Sequence, residues 1–409
     1  MTLKFGWEWE PAPEVGAPEL AATWSRLTIE VVGVTATLVE ERSSAHGIRK
    51  SIDVPTYPLA EWIAFNWWAI WAPRTRDAAT AFHLPGAGDG FPWPDLTLLS
   101  GPGSVAASLV RRDREPDFVR FLSSVEAVLD AEDTATEIAR FIDATVRRLE
   151  DEGITGTPLQ LEWAETSATT APQRDFCLVA AALGLDPYNL DDDQLKMVLR
   201  LGSLSDTTMA ADLAGAVDPA SLAVAQEWAE TAISRVPASA GPQFEVKAQP
   251  LPFGERVRPW MVGYERARLL RDRLSIGPTE RLELEDLIGL VTLDQKTPVT
   301  IGGLVSARKH ATIVVTGSTS ATAQRFTGAR ALGRRTFDSH VGEILLTATY
   351  RPYAEKVERA FAAEFLAPAE GVAELLDGDF SEDAFDSVAR RLAVDRRVIE
   401  RQVENQLIA

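Results

Sequence analysis

Residues 325–337 read RFTGARALGRRTF. The run follows a short β-branched stretch, ATIVV (311–315), and a turn of small polar residues, GSTSATAQ (317–324). A strand, a turn and then a run of helix formers predict a helix over the quoted stretch. On that helix Arg330 and Arg334 stand one turn apart on one face, with Ala331 beside them. Outward from it, YERARLLRDRL (264–274) reads as an amphipathic helix. TERLELEDLIG (279–289) reads as a second, with Thr279 as its cap. EKVERAFAAEFLAP (355–368) reads as a helix after the quoted one. SEDAFDSVARRLAVDRRVIERQVENQ (381–406) reads as two short helices with a turn near Val394.

Three of these phrases, in this order, resemble the ImmA/IrrE-type metallopeptidases. In that family a short strand leads into a phrase like RFTLAHELGH, a glutamate-led helix reads much like EKEANRFAAELLMP, and a segment of the sense LAxxFxVSxxxVxxRL closes the domain. The matches here are RFTGARALGR, EKVERAFAAEFLAP and VARRLAVDRRVIERQ. The resemblance covers roughly the last 150 residues, and nothing before residue 250 takes part in it. It implies a zincin-like, mostly helical domain with a small sheet, and action on helix-turn-helix repressors in bacteria and mobile elements.

The chain departs from the family at the positions that carry the chemistry. A working motif places two neutral imidazoles one turn apart on zinc, with a glutamate between them as base on the metal-bound water. Here the first histidine position is Arg330, the glutamate position Ala331 and the second histidine position Arg334; the third ligand position, Glu355, keeps a carboxylate. Guanidinium has no lone pair to give and does not deprotonate in proteins. Two of them one turn apart repel a dication, and alanine is no base. The expectation is a degenerate site with no catalytic residue and no cofactor, in which Arg330, Arg334 and Glu355 form an ion pair in the space of the zinc. Two other readings of the arginines are a solvated helix surface and an anion pocket. A relocated metal on His340, Glu343 and Glu355 is the alternative that would preserve peptidase activity.

Upstream, the first ~115 residues hold eight of the eleven tryptophans. LTIEVVGVTATLVEE (27–41) reads as a strand broken near Gly33, GIRKSIDVP (47–55) as its hairpin partner, and LAEWIAFNWWAIW (59–71) as a buried helix. The clustered tryptophans read as core, with a ligand cage as the alternative. SGPGSVAASL (100–109) lacks the third glycine of a dinucleotide fingerprint and the lysine of a phosphate loop, so it reads as a turn. Residues 117–152 carry a three- and four-residue apolar period and read as helical, and a second helical block runs from Asp175 to about Val236. Asp191, Asp192 and Asp193 read as an acidic helix start, with a divalent metal as the alternative. The Pro/Gly/Ala-rich stretch 235–259 reads as a boundary. The fold class is therefore α+β and multidomain: a tryptophan-rich α+β domain over 1–115, a helical region over 116–250 and the metallopeptidase-like domain over 251–409.

The net charge of −19 opposes nucleic acid, and no apolar run approaches the roughly 18 residues of a membrane span. A single cysteine, Cys177, and no apolar signal core in MTLKFGWEWEPAPEVG point to the cytoplasm. The first functional reading is a catalytically inactive protein that binds a protein or peptide partner, a helix-turn-helix regulator being the class the resemblance implies. Its candidate surface is the strand ATIVV, read as a sheet edge. An enzyme whose chemistry lies elsewhere in the chain is a second reading. A third is a DNA-binding regulator using Arg390, Arg391, Arg396, Arg397 and Arg401 of the closing helices.

Overall fold

A computed structural model describes residues 2–13, 16–41, 47–72, 82–101, 104–111, 119–204, 207–218, 220–236, 241–249, 251–252, 258–308, 311–338, 341–347 and 352–407. The protein is mixed α+β, with several small sheets. It divides into two compact units, Met1–Asn189 with Pro252–Glu255, and Leu190–Leu251 with Arg256–Ala409. The expected middle region is not a unit of its own. Its first half belongs with the tryptophan-rich part and its second half with the C-terminal part.

In the first unit β1 (Leu3–Trp9) pairs along its whole length with β2 (Trp24–Val31). Val32 and Gly33, at φ 52° and 79°, then reverse the chain into β3 (Val34–Thr35). Two positive-φ residues in a row make the tight hairpin turn that follows strand twist. β4 (Val39–Glu41) lies between β5 (Ile48–Arg49) and a later strand, β9 (Val119–Phe121), and β6 (Ile52–Pro55) pairs with β2. β7 (Leu96–Gly101), β8 (Ser104–Leu109) and β10 (Val125–Asp130) form a separate antiparallel sheet. The helices are α1 (Pro18–Ala22), α2 (Tyr57–Phe65), α3 (Trp67–Trp71), α4 (Ala131–Asp151), α5 (Pro158–Ser167) and α6 (Ala171–Ala182).

Two expectations change here. Of SGPGSVAASL, Ser100 and Gly101 end β7 and Ser104–Leu109 are β8, so most of the expected turn is paired strand; residues 102 and 103 lie outside the described residues. The helix expected over 117–152 begins only at Ala131, where Asp130 caps it by accepting from the Asp133 N–H. Before that cap Ala127 and Leu129 alternate inward on β10, a period of two that the longer helical period had masked. The tryptophans pack as core. Trp68, Trp93 and Trp163 are buried, Trp7 lies against Phe141, and Trp67 meets Trp163 edge-on.

In the second unit α7 (Asp192–Gly202), α8 (Thr207–Ala216), α9 (Leu222–Ser234) and α10 (Pro259–Arg273) precede a four-stranded sheet. Asp191 caps α7 by accepting from the Asp193 and Gln194 N–H groups, so that acidic triplet is a helix start. The strands are β11 (Gly289–Thr292), β12 (Ile301–Arg308), β13 (Ala311–Thr316) and β14 (Gly342–Thr347), in the order β11-β13-β12-β14. β11 runs parallel to β13, and the other pairings are antiparallel. β13, which contains ATIVV, is therefore a central strand and fully buried, not the expected edge. The helix expected over 279–289 is only a short turn at Leu284–Asp286. Leu282 and Leu284 point inward while Glu283 and Glu285 point out, an alternation proper to extended chain.

The quoted stretch forms the helix α11 (Ala321–Arg335), capped by Ser320. It packs against α12 (Pro352–Leu366), followed by α13 (Ala369–Leu376), α14 (Glu382–Leu392) and α15 (Arg396–Gln402). A left-handed Ala393 (φ 54°) separates the last two, close to the expected turn.

Candidate functional site

From Gly328 to Arg334 every residue of α11 is buried. Small side chains make this possible. A β-carbon on Gly328 would lie 2.6 Å from Ile288, and one on Gly333 would lie 2.9 Å from the Phe361 ring. Neighbours thus close on the helix from several sides, and its two arginines are drawn inside with it. Arg330 is 4% and Arg334 3% exposed, which removes the reading of a solvated surface.

Buried guanidinium groups need both charge and hydrogen-bond partners. Arg330 Nη2 donates to the Thr347 carbonyl at 2.9 Å and to Glu358 Oε2 at 3.0 Å. Its Nη1 lies over Gly302, where an added β-carbon would stand 3.2 Å away. Gly302 sits at the bulge that shifts the β12–β14 register between Ile301 and Gly303, so the bulge and the missing side chain make the space the guanidinium fills. Arg334 Nη1 donates to the Leu345 carbonyl at 2.5 Å, Nη2 to Asp212 Oδ2 at 3.2 Å and Nε to Asp338 Oδ2 at 3.3 Å. Two guanidinium groups, three carboxylates and two strand carbonyls thus form a buried polar network joining α8, α11, β14 and α12.

The carboxylate that meets Arg330 is Glu358, not Glu355. Glu355 Oε1 accepts instead from Arg359 on its own helix at 2.7 Å. Glu358 lies on the inward stripe of α12 with Phe361, Ala362 and Phe365, all buried, whereas Glu355 lies one turn nearer the start of that helix. Burial holds the Glu358 carboxyl above its ordinary value; Arg330 and Arg334 pull it down, and Glu355 adds to the rise.

His340 lies outside the described residues. Its two expected companions are engaged: Glu343 accepts from Ser306 and Arg308, and Glu355 from Arg359. No step of metal chemistry can be built on Arg330, Ala331 and Arg334, because none of these side chains offers a lone pair. Among the closing arginines, Arg396 pairs with Glu382 and Glu400, Arg401 with Glu404, and Arg390 Nε donates to the Asp386 carbonyl. His83 pairs with Asp95 in the first unit. Cys177 is buried, and burial pushes its thiol up to about 11, while Tyr188 lowers and Asp186 raises it.

Glu358, Asp212 and Asp338 escaped the sequence reading. Asp212 had a signal, as the single charge inside the apolar run TTMAADLAGAV (207–217). Glu358 had one too, as a carboxylate three residues before Phe361 on an otherwise apolar stripe. No protein-family model matches the chain, and no curated protein matches it. Among the described residues no helix is long and apolar enough to cross a membrane.

Proposed function

We propose that the protein is a catalytically inactive relative of the ImmA/IrrE-type metallopeptidases that works by binding a protein or peptide. Its setting in this reading is the bacterial cytoplasm, in stress-response, mobile-element or phage-defence regulation. The partner class is a helix-turn-helix regulator. One observation carries the reading: the side chains at the two ligand positions are buried and bonded to internal carboxylates and carbonyls, and the base position is a fully buried alanine. A guanidinium bonded to carboxylates and carbonyls neither binds a metal nor activates water. What is left to such a domain is recognition by its surface.

The test is metal content and proteolysis of the purified full chain, with and without a chelator. The expected result is far less than one zinc per chain, an unchanged melting temperature in chelator and no cleavage of an unstructured protein substrate. About one zinc per chain, with chelator-sensitive cleavage, would overturn the reading.

A further inference from the structure

The four-stranded sheet of the second unit has two edges, and the chain treats them differently. At β14, Arg330 and Arg334 donate to the Thr347 and Leu345 carbonyls. At β11 the Leu293 N–H donates to the Thr316 carbonyl at 2.9 Å. That bond sets the phase of the parallel ladder. Gly289, Val291 and Leu293 turn their backbone groups to β13, and Leu290 and Thr292 turn theirs away. Among the described residues nothing pairs with those two outward N–H and two outward C=O groups. Gly289 to Val291 are half-buried and Thr292 is exposed. Such an edge is a template for another strand.

We infer that β11 is the docking edge for an extended segment of a partner protein, basic at the residues flanking the paired stretch. The inference rests on the binding reading above and gives it a surface and a partner chemistry. The charge around the edge argues for a basic segment. Asp286 before β11 and Asp294 after it are exposed, and no cation among the described residues pairs with either. The neighbouring Glu283 and Glu285 are matched by Arg281 and Arg325. Lys296, unpaired among the described residues, has its backbone packed over Gly317, beyond the end of β13. A second copy is a poor occupant. Antiparallel pairing about Leu290 sets Asp286 of one copy opposite Asp294 of the other, between chains that each carry −19.

The test uses the full chain and a labelled hexapeptide, Lys-Val-Thr-Val-Thr-Lys, followed by fluorescence anisotropy. Its controls are the Glu-flanked peptide and a backbone N-methylated form. Thr292→Pro removes one outward N–H and no ladder bond. The pair Asp286→Lys and Asp294→Lys reverses the flanking charge and leaves the backbone alone. The expected result is one peptide per chain, with at least tenfold weaker binding for both control peptides and both variants, and a preference of the charge-reversed variant for the Glu-flanked peptide. Absence of binding, equal binding of the N-methylated peptide, full binding by a folded Thr292→Pro chain, or a dimer that this variant abolishes would overturn the inference. Should Thr292→Pro fail to fold, the charge-reversed variant and the N-methylated peptide still decide it. Zinc with proteolysis refutes the non-catalytic reading whatever β11 does; neither zinc nor peptide binding refutes the docking edge alone.

Discussion

Replacing Glu358 by Gln removes one half of a pair whose members are each about 5% exposed and 3.0 Å apart. At an effective dielectric of about 20 the gross attraction is roughly 5 kcal/mol, and most of it offsets the cost of taking the two charges out of water. Removing one member leaves Arg330 charged, buried and held by the Thr347 carbonyl. Such a loss costs about 3–5 kcal/mol. Replacing both, as Arg330→Met with Glu358→Leu, removes the attraction and the desolvation together and is expected within about 1 kcal/mol of the parent, or above it.

Tryptophan fluorescence is the wrong assay, because nine of the eleven tryptophans lie in the first unit and only Trp228 and Trp260 in the second. Amide hydrogen exchange in α11 and α12 reads the second unit directly. A loss of 3 kcal/mol speeds exchange of the slowest amides by roughly a hundredfold, at tenfold per 1.4 kcal/mol. The sign with pH is also set. A folded carboxyl held above its ordinary value keeps its proton longer than the unfolded one, so its contribution falls as pH rises through that window. Glu358→Gln abolishes that part of the slope. A single variant within about 1 kcal/mol of the parent, or a double variant that simply sums the two singles, would refute the argument.

Three further predictions concern the packing around this network and the buried thiol. Gly263→Ala puts a β-carbon 2.5 Å from the Val357 carbonyl and 2.8 Å from Ala360; overpacking of this kind costs about 1–3 kcal/mol, seen as faster exchange in α10 and α12. Asp212→Asn leaves Arg334 short of one of its two carboxylates and lowers stability by about 1–3 kcal/mol, whereas Asp193→Asn on the exposed turn of α7 shifts it by less than about 0.5 kcal/mol. The folded Cys177 thiol, up at about 11 against an ordinary 9.0, keeps its proton where the unfolded thiol loses it. Stability is therefore flat below pH 9 and falls by roughly 3 kcal/mol on the way to pH 11, a slope that Cys177→Ala removes in alkaline melts of the first unit.

Legibility in the sequence followed the range of the interactions. Local signals held: the acidic helix start at Asp191 to Asp193, the turn near Val394 and the shared face of Arg330 and Arg334 all come from residues within a turn of one another. The element types failed where two periods overlap. VEAVLD fits a helix when read with its downstream neighbours, yet it pairs as β10 with β8. RLELED alternates, and it stays extended as far as the turn at Leu284–Asp286, because Arg271 takes the Gly277 and Glu280 carbonyls while Arg325 takes that of Leu282. The partners of the two arginines were the least legible. Asp212 reaches Arg334 across 122 positions, and sheet order alone reveals that β13 is flanked on both sides.

The two arginines also limit what else this helix can carry. Placing histidines at 330 and 334 takes away more than two side chains. It strips the Thr347 and Leu345 carbonyls of these donors and takes from Glu358, Asp212 and Asp338 the guanidinium groups bonded to them. Replacing either arginine alone leaves a buried carboxylate short of its cation, so the product is an unstable protein whatever the new side chain could bind. The same salt bridges that hold the helix inside its unit thus close these two positions to change one residue at a time.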